Sequence, residues 1–166
     1  MKKIKFNIPH YEKQSLENVK KLKLKQHYSS NGYYTVKCEK WLKKNFKVKH
    51  AILTHSCTSA LEMIALLINI KKGDEIIVPS YTFVSTANAF TNYGASPVFA
   101  DIDPKTMNID PNKITKLITK KTKAIIIVHY AGISCELEKI KKIASKKNLI
   151  LVEDNAHGFL AKYKNK

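Results

Sequence analysis

Three short stretches of this sequence carry side chains that could do chemistry, and each follows an apolar run. In the first, His55-Ser56-Cys57-Thr58-Ser59-Ala60-Leu61-Glu62, Ser59 and Glu62 have the S-x-x-E spacing of a capping box, which places a helix start at Ser59. Unpaired N–H groups at a helix start, with the Thr58 and Ser59 hydroxyls, can hold an anion such as a phosphate. Taken alone, the same residues read more readily as a plain cap. In the second, Pro79-Ser80-Tyr81-Thr82-Phe83-Val84-Ser85-Thr86, Phe83 can stack on a flat ligand or fill the core. In the third, Val152-Glu153-Asp154-Asn155-Ala156-His157-Gly158, Asp154 can keep a heterocyclic nitrogen protonated, or cap a helix. His157 is either a ligand to the same group or a packed histidine.

These stretches must be positioned by a scaffold, and the pattern around them indicates which. Apolar runs at 51–54, 75–78, 97–100, 123–128 and 149–152 read as buried strands. Helical patterns at 59–70, 83–93, 110–119 and 136–147 separate them, with Gly94 as a left-handed C-cap and Pro111 at a first helical position. Continuous apolar strands alternating with helices predict an α/β fold with a parallel sheet covered on both faces. Ligands of such sheets bind beyond the carboxyl ends of the strands, where all three stretches lie. Residues 1–50 differ. Helices expected at 12–24 and 35–46, joined by a polar turn at 28–32, form an N-terminal arm, with 51–166 as the domain proper.

Composition bounds the function classes. A chain of 166 residues can bury roughly 70% of its unfolded surface. Three cysteines without a C-x-x-C pair argue against a disulfide framework or a zinc site and fit a reducing compartment, so a cytoplasmic location is expected. The longest apolar run is far short of the ~20 residues of a membrane span. The net charge of +17 suggests a polyanion partner. However, all 30 basic residues are lysine, whereas bidentate phosphate and base recognition favour arginine. Their spread over polar helix faces reads as a solvated surface, with nucleic acid not expected. Asp101 and Asp103 could be read as a metal pair, but a strand-end turn explains them, and no metal is expected. His129 ends a long strand, either lining a cleft or packed.

Thr58-Ser59-Ala60-Leu61, then 73–83 from Gly73-Asp74-Glu75 to Tyr81-Thr82-Phe83, then Asp101-Ile102-Asp103-Pro104 and Val152-Glu153-Asp154-Asn155-Ala156-His157 together resemble the DegT/DnrJ/EryC1/StrS sugar aminotransferases. The order and spacing match over nearly the whole chain. The resemblance implies the large domain of a fold type I pyridoxal-phosphate enzyme, incomplete at its C-terminus and without the small domain. It implies that Thr58 and Ser59 hold the cofactor phosphate, Phe83 stacks on the pyridine ring, Asp154 pairs with its nitrogen, and His157 lies near the phenolic oxygen, where many relatives have glutamine. Cys57 stands where much of the family has glycine. Gly32 and Tyr33 would approach the partner subunit's site in a homodimer.

Finer motifs, among them Ser56-Cys57-Thr58-Ser59-Ala60-Leu61-Glu62-Met63 and Val128-His129-Tyr130-Ala131-Gly132, look most like family members that make dTDP-4-amino-4,6-dideoxygalactose. The reaction implied is transfer of an amino group from L-glutamate to C4 of a dTDP-linked 4-keto-6-deoxy sugar, for cell-surface polysaccharide synthesis. The lysine that bonds the cofactor in the family falls further beyond Asp154 than Lys162, Lys164 or Lys166, so no catalytic residue is assigned and the chain alone is expected to be inactive. The same resemblance predicts strand edges and apolar helix faces left uncovered. Alternatives are a non-catalytic subunit pairing with a full-length relative, or a related sugar 3-aminotransferase or dehydratase.

Overall fold

Two compact units, Met1–Leu53 and Thr54–Lys166, make up the chain. The computed structural model describes residues 8, 10, 12–22 and 31–164.

In the first unit, α1 spans Lys13–Lys20 and α2 spans Tyr33–Phe46. The last two residues of the helix expected at 12–24, and Tyr28 to Ser30 of the expected turn, lie outside the described residues. Gly32 is the N-cap of α2, and Lys47, in the left-handed region at φ 52°, closes it. Trp41 packs edge-on against Phe46, and the Leu53 N–H donates to Glu39 Oε1 at 3.1 Å. Neither helix has a fully buried residue.

In the second unit, four strands form one parallel sheet: β1 (Glu75–Pro79), β2 (Ser96–Ala100), β3 (Thr122–Val128) and β4 (Ile150–Asp154), in the order β2-β1-β3-β4. Side chains alternate across a sheet, so an unbroken apolar strand feeds both faces. Ile76, Val78, Ala124, Ile126 and Val152 point to one face and pack with Leu61, Ala65 and Phe90. Ile77, Ile125 and Ile127 point to the other and pack with Ile114, Leu137, Ile140 and Ala144. Each of the isoleucine, leucine, valine and phenylalanine side chains among them contributes about 1.5–3 kcal/mol when removed from water.

The helices that supply these partners are α3 (Cys57–Leu67), α4 (Ser85–Thr91), α5 (Pro111–Leu117) and α6 (Leu137–Lys146). Asp110 caps α5, its carboxylate accepting the Asn112 N–H at 2.9 Å, with Pro111 in the first turn as expected. After α4, Gly94 takes φ +98°, and a Cβ there would sit 3.0 Å from the Lys72 backbone. That close approach, with the left-handed φ, explains the glycine.

Two expectations fail locally. Residues 51–54 form no strand, because a strand needs a ladder neighbour and they have none among the described residues. Ile52 and Leu53 are exposed instead. The helix after them starts at Cys57, not Ser59: Ser56 is the N-cap and its Oγ accepts the Ser59 N–H at 3.1 Å. An S-x-x-S cap three residues upstream displaced the S-x-x-E reading, since a serine at either position can satisfy an orphan N–H. Apolar surface also remains uncovered, with Leu66 and Leu67 of α3 59% and 71% exposed.

Candidate functional site

The carboxyl ends of β1, β3 and β4 and the start of α3 bring chemistry-bearing residues together around Asp154. This aspartate ends β4 and is 6% exposed. Burying a carboxylate is costly unless its oxygens are hydrogen-bonded. Here Oδ2 accepts from Thr86 Oγ1 at 2.8 Å, and Oδ1 accepts from the Ala156 N–H at 3.2 Å and, more weakly, from the Cys57 thiol at 3.5 Å. Because Thr86 gives its proton to Asp154, the 2.8 Å contact between Thr82 Oγ1 and Thr86 Oγ1 must run from Thr82 to Thr86. Thr86 is completely buried in the first turn of α4. The result is a two-hydroxyl relay aimed at one carboxylate. Among the described residues no lysine or histidine forms an ion pair with Asp154.

Cys57 links this carboxylate to the first turn of α3. Burial, and then the neighbouring charge of Asp154, push its thiol up to about 11. Thr58 follows in that first turn. Ser59 Oγ contacts Ser56 Oγ at 3.0 Å and His55 Nε2 at 2.9 Å. The turn thus presents the N–H groups of Cys57 and Thr58, which as first-turn donors have no intrahelical acceptor, beside hydroxyls and an imidazole. Phe83 stands in the loop between β1 and α4 and is 73% exposed, so it is not a core residue.

His157, exposed after β4, accepts the Ala131 N–H on Nδ1 at 3.2 Å. Its ring meets Tyr130 edge-on at 5.5 Å. Tyr130 in turn donates to the Tyr81 hydroxyl at 3.1 Å, the two rings 4.9 Å apart. That hydrogen bond is the main cause holding the Tyr130 phenol above its ordinary value.

His129 is buried at the end of β3, with both ring nitrogens engaged: Nδ1 accepts the Cys135 N–H at 3.2 Å, and Nε2 faces Glu153 Oε2 at 3.0 Å. Since Nδ1 accepts, the proton is assigned to Nε2, which donates to the carboxylate. This bond holds the Glu153 carboxyl below its ordinary value, against the burial that would raise it. Neither nitrogen is left to meet a ligand, so His129 ties β3 to β4 next to Asp154. Gly32 and Tyr33 belong to the first unit, at the start of α2. Asp101 Oδ1 accepts the Ile102 N–H and Asp103 Oδ1 the Lys105 N–H, the bonding of a strand-end turn.

Three contributors were not singled out from the sequence. Thr86 and Thr82 lie in a stretch read for its aromatic, and a threonine in a first helical turn or in the loop before it carries no distinctive signal. Asn108 is buried, donating to the Ile133 carbonyl and accepting the Tyr130 N–H, both at 2.9 Å. It fixes the turn that carries Ala131, through a contact 22 residues away that no local pattern announces.

Residues 9–166 match the DegT/DnrJ/EryC1/StrS aminotransferase family. The GDP-perosamine synthase of Caulobacter vibrioides is 42% identical over 138 residues, covering 83% of this chain and 37% of that protein. Among solved structures, an aminotransferase from Psychrobacter cryohalolentis superposes with a TM-score of 0.87 at 34% identity, over 94% of this chain and 40% of its own. NtdA of Bacillus subtilis, solved with the cofactor PMP bound, superposes with a TM-score of 0.71 at 36% identity, over 73% of this chain and 28% of its own. The chain spans about 36–41% of the length of the curated relatives it matches.

Proposed function

This chain belongs to the DegT/DnrJ/EryC1/StrS aminotransferase family, and we propose that its second unit is the pyridoxal-phosphate cradle of an enzyme that aminates a nucleotide-linked keto sugar. The observation that carries the reading is Asp154: a buried carboxylate, supplied with hydroxyl, amide and thiol donors, with no cationic side chain paired to it among the described residues. Such a group suits a protonated ring nitrogen, which would provide the missing positive charge.

The remaining residues fit the same group. The first turn of α3 offers Thr58, Ser59 and free N–H groups to a phosphate. Phe83 offers an exposed aromatic face, and His157 a ring nitrogen beside the strand ends. When bound, the cofactor supplies an electron sink for the carbon that gains or loses the amino group. Asp154 holds the proton on the ring nitrogen, and Thr86 and Thr82 hold Asp154.

Within this reading the amino donor is L-glutamate and the acceptor is C4 of a dTDP-linked 4-keto-6-deoxyhexose, which supports cell-surface polysaccharide synthesis in the cytoplasm. Gly32 and Tyr33 serve the partner subunit's site in a homodimer. No described helix is long and apolar enough to cross a membrane. Thr58, Ser59, Phe83, Asp154 and His157 all offer noncovalent contacts, and within this reading the described residues hold the cofactor without a covalent bond.

Induced circular dichroism of pyridoxal phosphate added to the chain tests this, followed by borohydride and mass spectrometry. The reading expects a saturable signal and no pyridoxyl-lysine. Absence of any signal at saturating cofactor, or a stoichiometric lysine adduct, would overturn it.

A further inference from the structure

His157 is held by an unusual piece of backbone. The 3-10 turn Tyr130–Gly132 contains Ala131 at φ 51° and ψ 25°, a left-handed conformation that costs a non-glycine residue about 1 kcal/mol or more. Gly132 follows at φ +79°, and a Cβ there would lie 3.3 Å from the His157 carbonyl oxygen. Asn108 clamps the turn through the Tyr130 N–H and the Ile133 carbonyl. What this turn delivers is the Ala131 N–H, pointed at Nδ1 of His157.

An imidazole nitrogen that accepts a hydrogen bond carries no proton, so the other nitrogen must carry it in the neutral ring. We propose that the Tyr130–Gly132 turn is a positioning element that fixes His157 in the Nε2–H form, making it a hydrogen-bond donor to an oxygen acceptor of the bound ligand. The acceptor's identity rests on the cofactor reading, where it is the phenolic oxygen of pyridoxal phosphate; the tautomer does not. The edge-on Tyr130 ring, itself anchored to Tyr81, limits rotation of the imidazole. A glutamine in place of His157 can reproduce both contacts, its carbonyl accepting from Ala131 and its NH₂ donating. Leucine can reproduce neither.

Long-range ¹H–¹⁵N correlation spectra of the ligand-free chain, with His157 assigned by comparison with His157→Gln, read the tautomer directly. The expected result is an unprotonated Nδ1 and a protonated Nε2, with Gly132→Ala shifting the ring toward the opposite tautomer. Titration with pyridoxal phosphate is the second arm. His157→Gln is expected to bind within about twofold of the parent, and His157→Leu about fivefold more weakly, the scale of one hydrogen bond. A predominantly Nδ1-protonated His157, or equal weakening by Gln and Leu, overturns the inference. An Nε2–H ring in a parent chain that binds no pyridoxal phosphate supports the tautomer and overturns the cofactor reading instead.

Discussion

Thr86 Oγ1 donates a 2.8 Å hydrogen bond to Oδ2 of Asp154 across 68 residues of sequence. The bond joins the first turn of α4 to the end of β4, and Thr86 is fully buried. Replacing Thr86 with Val keeps the shape and removes the donor, leaving a buried carboxylate oxygen short of a partner. Chemical denaturation is expected to show a loss of about 1–3 kcal/mol. Thr86→Ser, which keeps the hydroxyl, is expected to lose less than half as much. Equal losses would show that the methyl contributes as much as the hydroxyl.

The pair His129 and Glu153 sets a pH dependence. Glu153 is held below its ordinary carboxylate range by the hydrogen bond from His129. A carboxyl depressed by folding contributes stability that is present above the unfolded value, ~4.3 for glutamate, and is lost as pH falls through the folded one. Thermal unfolding followed downward from neutral pH should therefore fall in the acidic range. Glu153→Gln should lower stability at neutral pH and flatten that acid limb. An unchanged limb in the variant would assign it to other carboxyls.

Cys57 should be a slow nucleophile despite its exposure. Its thiol is pushed up to about 11 by burial and by Asp154, so little thiolate forms at neutral pH. Mass-resolved alkylation should modify exposed Cys38 before Cys57, and leave buried Cys135, pushed up to about 12, for last. Asp154→Asn removes the neighbouring negative charge and should accelerate Cys57 alone. A Cys57 rate that ignores that substitution would separate the two groups.

At Gly94, alanine would place a methyl 3.0 Å from the Lys72 backbone at φ +98°. Both effects oppose the change, and denaturation should show a loss of roughly 1 kcal/mol or more. Stability equal to the parent would show that the turn relaxes freely.

The strands were legible where the chain is apolar without interruption. Ile125-Ile126-Ile127 can satisfy two faces only inside a covered parallel sheet, and β3 is that strand. The run at 51–54 is also largely apolar but has no ladder neighbour among the described residues, and composition alone does not reveal whether a neighbour exists. The motif residues Phe83 and His157 could be placed beyond strand ends, and Asp154 near one, because the alternation of elements fixes those ends; Thr58 could not, since the run before it forms no strand. The partners of Asp154, Tyr130 and His157 could not: Thr86, Asn108 and the Ala131 N–H act across 22 to 68 residues. Their side chains are ordinary threonine, asparagine and alanine, and only the folded turns give them direction. His129 could be read two ways in sequence, and its hydrogen bonds direct it inward.

The most direct test of the account is the dissociation constant of pyridoxal phosphate for the chain and for Asp154→Ala, with far-ultraviolet circular dichroism confirming that both are folded. If the buried carboxylate meets a protonated ring nitrogen, the alanine variant should bind at least about tenfold more weakly, or ~1.4 kcal/mol. Equal affinities for two folded proteins would contradict the assignment of Asp154 and, with it, the cradle built around it.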